Sequence, residues 1–226
     1  MLYLLDTANL SEIRKAYDLY PMDGVTTNPT IIAKEQVKFI DHLKEIRSII
    51  GTESMLHVQV LGSTAETMIE EALYLQEQLG GNLYIKIPAT TQGIKAMKTL
   101  NKKGFKLTAT AIFTAQQALM AAKAGADFVA PYVNRIDNIS GSGVSVVEDI
   151  VHLFNTFGID TKVLAASFKN VQLVHNSLLV GAHSITVNME TFDMLIEHPL
   201  TDWSVDQFVK DWEQVYGRGK TVLDII

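Results

Sequence analysis

Leu83-Tyr84-Ile85-Lys86-Ile87 is a short run in which the alternation of a β-strand turns Ile85 and Ile87 to one side and Lys86 to the other. Apolar side chains fill it nearly throughout, as in a strand buried on both faces, and such strands belong to parallel sheets covered by helices. Comparable runs lie on either side: Leu2 to Leu5, Gly24 to Thr26, Leu56 to Leu61, Leu107 to Ile112, Asp127 to Ala130, Lys162 to Ala166 and Ser184 to Val187. Between them the apolar residues follow helical spacing, as in Ile32, Phe39, Ile40, Leu43, Ile46 and Ile50, and again in Ala65, Met68, Ile69, Ala72, Leu73 and Leu79. Strand and helix therefore alternate through eight units. The pattern predicts an α/β fold, a (β/α)₈ TIM barrel, with a doubly wound open sheet as the rival. Trp203 to Tyr216 adds a helix after the eighth unit, at about 203–217, with Val205, Phe208, Val209, Trp212 and Tyr216 along one side.

Helix starts carry their own marks. Asn28 before Pro29 reads as N-cap and first helical residue, and Ser63 with Glu66 and Ser145 with Glu148 have capping-box spacing. No internal repeat beyond the βα rhythm, no low-complexity segment and no linker interrupts the chain, although Ser140 to Gly143 forms a flexible loop. One domain spanning 1–226 is expected.

Composition narrows the function. The chain has 226 residues, 47% of them hydrophobic, enough for one sizeable core. Acidic residues outnumber basic ones, 25 to 19, for a formal charge of −6, and no Lys/Arg run forms a basic stripe, so nucleic acid is a poor partner. Without cysteine there is neither a disulfide framework nor a thiolate nucleophile. The opening MLYLLD lacks the basic region of a secretory leader, and no stretch has membrane-spanning length. A soluble, cytoplasmic protein is expected. The six histidines show no His-x-His pair, no HExxH and no zinc-type clustering, so neither a metal nor any other cofactor is expected. His57 alone falls in a strand, where a lone histidine is more often structural than reactive. No phosphate-binding P-loop is present either.

In a barrel, side chains at the C-terminal ends of the strands converge on one mouth. Asp6 ends the first run, Thr26, Thr27 and Asn28 the second, Gln59 lies late in the third, Lys86 in the fourth and Thr110 in the fifth; Tyr132, Asn134 and Arg135 follow the sixth, and Ser167 the seventh. An amine turned into the barrel loses hydration, its ammonium form is disfavoured, and the free amine can attack a carbonyl. The same lysine could instead snorkel from the strand end or pair with Asp6. Asp6 can act as an acid/base partner or cap the first helix. Arg135 can present two parallel donors to a phosphate, joined by the hydroxyl and amide of Ser167, or it can pair with Asp137 at the surface. Thr26, Thr27 and Asn28 suit substrate hydroxyls, though strand propensity and capping also explain them.

Taken together, LLDTAN at 4–9, GVTTNPTII at 24–32, YIKIPAT at 84–90, ADFVAPYVNRIDN at 126–138 and LAASFKN at 164–170 resemble transaldolase over essentially the whole chain. The resemblance implies a (β/α)₈ barrel whose Lys86 forms a Schiff base with a ketose phosphate. It implies Asp6 as the acid/base, Thr26 and Asn28 as substrate contacts, Arg135 and Ser167 as the phosphate anchor, and Thr110 as the holder of a catalytic water. Gln59 and Tyr132 stand where most transaldolases have Glu and Phe, and so resemble the fructose-6-phosphate aldolase branch, in which glutamine and tyrosine hold the water that moves protons. A neutral amide cannot serve as a carboxylate base, whereas a phenol can donate a proton.

The expected activity is therefore cleavage of fructose 6-phosphate to glyceraldehyde 3-phosphate and dihydroxyacetone. The alternative is transfer of the dihydroxyacetone unit to erythrose 4-phosphate, giving sedoheptulose 7-phosphate, as in the pentose phosphate pathway. A Schiff-base aldolase acting on deoxyribose phosphate, or a sugar-phosphate-binding protein without catalysis, would also use such a mouth, because fold alone does not guarantee chemistry. The resemblance further implies a homo-oligomer, a pentamer or decamer in which the last helix is exchanged between subunits; packing on its own barrel is the other reading of that helix.

Overall fold

The computed structural model describes residues 1–225. In chain order the elements are β1 (Leu2–Asp6), α1 (Leu10–Leu19), β2 (Gly24–Thr26), α2 (Pro29–Glu35), α3 (Phe39–Ile50), β3 (Met55–Gln59), α4 (Ala65–Leu79), β4 (Leu83–Pro88), α5 (Thr91–Asn101), β5 (Lys106–Ile112) and α6 (Ala115–Lys123). They continue with β6 (Phe128–Pro131), α7 (Val133–Asp137), α8 (Gly143–Phe157), β7 (Lys162–Ala165), α9 (Val171–Leu179), β8 (Ser184–Val187), α10 (Met189–Met194) and α11 (Pro199–Tyr216). Every strand pairs in parallel with its sequence neighbours and β8 returns to β1, so the sheet closes into the expected (β/α)₈ barrel rather than the open sheet. Closure leaves no free strand edge.

The strands hold because each presents two apolar faces. Outward side chains such as Leu5, Val25, Val58, Ile85, Ile87 and Val129 are buried under the helices, among them Ile13 of α1, Leu43 of α3 and Met97 of α5. Each such side chain contributes about 1.5–3 kcal/mol when fully buried. Inside the barrel the lower layer is apolar, with Leu4, Met55, Phe128 and Leu164 packed together and Leu2 and Tyr84 against them. Toward the C-terminal ends of the strands the lining becomes polar. Glycine permits close approach beside the strands that carry the site: a Cβ on Gly24 would lie 2.4 Å from the Met55 carbonyl oxygen across the β2–β3 pair, and one on Gly93 would lie 1.9 Å from the carbonyl oxygen of Pro88, where α5 packs onto the end of β4.

Local chemistry shifts several boundaries. Asn28 does cap α2, its Oδ1 accepting from the Ile31 amide at 3.0 Å with Pro29 in the first turn. The cap of α4 is Thr64 and not Ser63, in a capping box with Thr67 instead of Glu66. Likewise Ser142, not Ser145, caps α8 by accepting from the Ser145 amide at 3.3 Å. In both cases hydroxyls stand close together in sequence, and the path of the loop decides which one meets the free amides. The final helix begins at Pro199, ahead of the expected start near 203, because His198 caps it and proline suits the first turn.

The chain divides into two compact units, Met1–Thr191 and a second that starts at Phe192. The second contains α11, none of whose residues is buried; Trp203, Phe208, Val209 and Val215 are all exposed. No described helix is long and apolar enough to cross a membrane.

Candidate active site

Lys86 is the side chain on which the barrel mouth is built. Its Cα stands opposite Gln59 in β3 and Thr108 in β5, and its side chain points into the barrel with 6% of its surface exposed. The Nζ donates to the Thr27 carbonyl oxygen at 2.7 Å. This is neither a snorkelling lysine nor a direct ion pair with Asp6. Burial pushes its pKa below the ordinary lysine range, and the charge of Asp6 only partly opposes that shift. Asp6, at the end of β1, is displaced the other way: burial raises its pKa, against the opposing influence of Lys86, the Thr26 hydrogen bond and Arg135. Its alternative role as a helix cap is taken by Asn9, whose side chain accepts from the Ser11 and Glu12 amides. A buried amine and a part-buried carboxyl thus face one cavity, each displaced toward its neutral form.

That cavity, of about 110 Å³, is lined by Lys86, Asp6, Thr26, Asn28, Thr110, Tyr132, Arg135 and Ser167, together with Ala130, Leu164, Ala166 and Thr186. Asn28 uses Oδ1 for the helix cap, leaving its two amide N–H donors for a ligand. Thr110 and Tyr132 join through a contact of 3.0 Å between Oγ1 and Oη. Arg135 is not paired with Asp137, whose Oδ1 accepts from the Gly143 amide at 2.8 Å; its guanidinium lies 4.7 Å from the Tyr132 ring centroid. Ser167 reaches the cavity through a left-handed backbone, φ 64°, and its carbonyl accepts from the Asn134 amide at 2.9 Å. With the bridge between Tyr132 and Ala166, that bond ties the end of β7 to the start of α7 and sets Ser167 beside Arg135. One more left-handed residue, Ala111 at φ 55°, follows Thr110 where β5 and β6 slip register, a bulge that re-aims the strand end.

Gln59 is the exception among the expected site residues. Although it faces Lys86 in the β3–β4 register, it opens onto an adjoining, mostly apolar hollow of about 340 Å³, shared with Thr27, Asn28, Ile32 and Phe39. Thr186 is the residue that the sequence reading missed. The motifs and strand ends name no polar residue for the eighth run, yet Thr186 alternates with Ile185 and Val187 as an inward side chain must, and that alternation is the available mark. His57 is fully buried and stacked on Tyr84, with ring centroids 4.6 Å apart, while its Nδ1 lies 2.8 Å from Thr108 Oγ1. Burial first, and Lys86 second, hold its pKa well below the usual value, so it is a neutral packing ring. Among the described residues no group of three or more His, Cys, Asp or Glu side chains is arranged to hold a metal ion.

Fold and mouth together define a (β/α)₈ barrel protein with a buried amine late in its fourth strand. The family model for transaldolase/fructose-6-phosphate aldolase matches residues 3–219, and the chain belongs to that family. It is 44% identical over 214 residues to a probable transaldolase of Geobacillus sp. (strain WCH70), covering 95% of this chain and 99% of that one. It is 40% identical over 213 residues to a probable fructose-6-phosphate aldolase of Streptococcus pneumoniae (strain ATCC 700669 / Spain 23F-1), covering 94% and 96%. A probable transaldolase of Clostridioides difficile (strain 630) is 43% identical over 213 residues, covering 94% and 97%.

Proposed function

We propose that this protein is a class I aldolase that cleaves fructose 6-phosphate through a Schiff base on Lys86. The observation that carries the reading is a buried amine, held below the ordinary lysine pKa, sharing one cavity with a carboxyl whose pKa is raised and with a guanidinium able to take a phosphate. Lys86 Nζ attacks the ketone carbon, and Asp6 gives the proton that lets the resulting hydroxyl leave as water, forming an iminium. The iminium accepts the electron pair of the C3–C4 bond as the C4 hydroxyl gives its proton to Asp6, by then a carboxylate, and glyceraldehyde 3-phosphate departs. The enamine left on Lys86 is protonated at carbon, and water then hydrolyses the imine to release dihydroxyacetone and the free amine. Arg135 and Ser167 hold the phosphate, Asn28 and Thr26 the hydroxyls, and Thr110 with Tyr132 the water.

Transfer of the same enamine to erythrose 4-phosphate is the second reading, favoured by the transaldolase names of the relatives. Hydrolysis is the better supported fate, because no second carboxylate lines the cavity and Tyr132 offers a donor there. Release of glyceraldehyde 3-phosphate from fructose 6-phosphate without acceptor is the expected result; release that requires erythrose 4-phosphate makes the protein a transaldolase. Borohydride is expected to trap substrate on the wild type and not on Lys86→Ala, which folds without turnover, and appreciable cleavage by that variant would remove Lys86 from the mechanism. A cytoplasmic location, a place in sugar-phosphate metabolism and a homo-oligomeric state complete the proposal.

A further inference from the structure

β1 is flanked in the barrel by β2 and β8, and the polar side chains that those two strands turn inward meet across it. Thr26 Oγ1 lies 2.7 Å from Asp6 Oδ1 and 2.6 Å from Thr186 Oγ1, a contact between residues 160 positions apart in sequence. Thr26 is 0% exposed and Thr186 4%, so bulk water does not compete for these hydroxyls.

The chain of contacts has a direction. A carboxylate only accepts, and a hydroxyl owns a single proton. While Asp6 is ionised, the Thr26 proton is therefore committed to Asp6, and the short contact on its other side requires Thr186 to donate. The order is Thr186 to Thr26 to Asp6, and a hydrogen bond that receives another at its donor oxygen is strengthened by it. The charged groups that face Asp6 are the Lys86 ammonium from β4 and the Arg135 guanidinium from α7, with the Tyr132 phenol as the other titratable group of the cavity. β2 and β8 contribute only hydroxyls to this part of the lining.

We propose that Thr186 is a positioning residue: by donating to Thr26 it turns the Thr26 hydroxyl onto Asp6 and holds that carboxylate in place as the proton acceptor of the reaction. The inference rests on the Schiff-base reading, with Asp6 as its acid/base. Without the Thr186 donor, the Thr26 bond to Asp6 weakens, the carboxylate is less well stabilised, and it takes up a proton at higher pH.

The test compares wild type, Thr186→Val, Thr186→Ala and Thr186→Ser in the pH profile of fructose 6-phosphate cleavage, with borohydride trapping on each. Val keeps the shape and removes the hydroxyl, Ala guards against a Val variant that fails to fold, and Ser restores the donor with less bulk. Val and Ala are expected to move the acidic limb of the profile upward by about half a unit to one unit, the worth of one hydrogen bond. kcat is expected to fall more than KM changes, and Ser to return the limb to its wild-type position. A limb that stays in place in Val and Ala, or a Ser variant displaced as far as Val, overturns the proposal while trapping on the wild type leaves the Schiff-base reading intact. Absence of trapping on the wild type overturns that reading and this inference with it.

Discussion

At the scale of the residue, the defining fact is an amine that cannot keep its hydration. Lys86 points into the closed barrel with 6% of its surface exposed, and its Nζ donates to a carbonyl, which helps an ammonium less than a carboxylate would. Its pKa is lowered on folding, so its contribution to stability is complete above the ordinary lysine range and is lost as pH falls through the depressed value. Asp6, whose pKa is raised, has the opposite sign: its contribution is complete below the ordinary carboxylate range and is lost as pH rises through the raised value. The rate of borohydride trapping is expected to rise with pH and level off below the range of a free lysine; a rise that continues to that range would show that the amine is not desolvated in solution.

At the scale of the element, the site depends on how strands hand over to helices. Asn28 serves twice, capping α2 with its oxygen and offering its amide to the cavity. Asn28→Asp keeps the cap and exchanges donor for acceptor, so stability should hold while KM rises; Asn28→Ala loses both, with about 1 kcal/mol of stability. Urea midpoints and steady-state kinetics on the two variants separate these effects, and equal stability losses would contradict the cap. Gly93→Ala places a Cβ against the Pro88 carbonyl, two residues beyond Lys86, and forces α5 away from the end of β4. A loss of about 1–3 kcal/mol is expected from such overpacking, together with slower trapping on Lys86; an unchanged urea midpoint would show that α5 moves aside freely. Elements of this kind were largely legible beforehand. Alternation and helical spacing are local properties, so all eight strands could be placed, with edges displaced by a residue or so as at β3 and β6. Ser63 and Ser145 have the spacing of caps yet do not cap, because that spacing is satisfied by more than one hydroxyl, and only the loop path selects among them.

At the scale of the whole molecule, α11 carries Trp203, Phe208, Val209 and Val215 exposed to solvent, an apolar load that water does not favour. Light scattering is expected to give a mass several times the 25.0 kDa of one chain, and a monomeric mass would refute self-association. The sequence by itself determined the number and order of the βα units, the strand that carries Lys86 and, through five motifs in their order, the family. Tertiary structure alone decided which strand-end side chains share a cavity. Thr26 and Thr186 meet only because β8 closes onto β1, and Gln59 opens onto the neighbouring hollow although it adjoins Lys86 in register. The physical reason is that hydrophobic period is written residue by residue, whereas strand tilt and stagger belong to the closed sheet as a whole and set the level at which each inward side chain emerges.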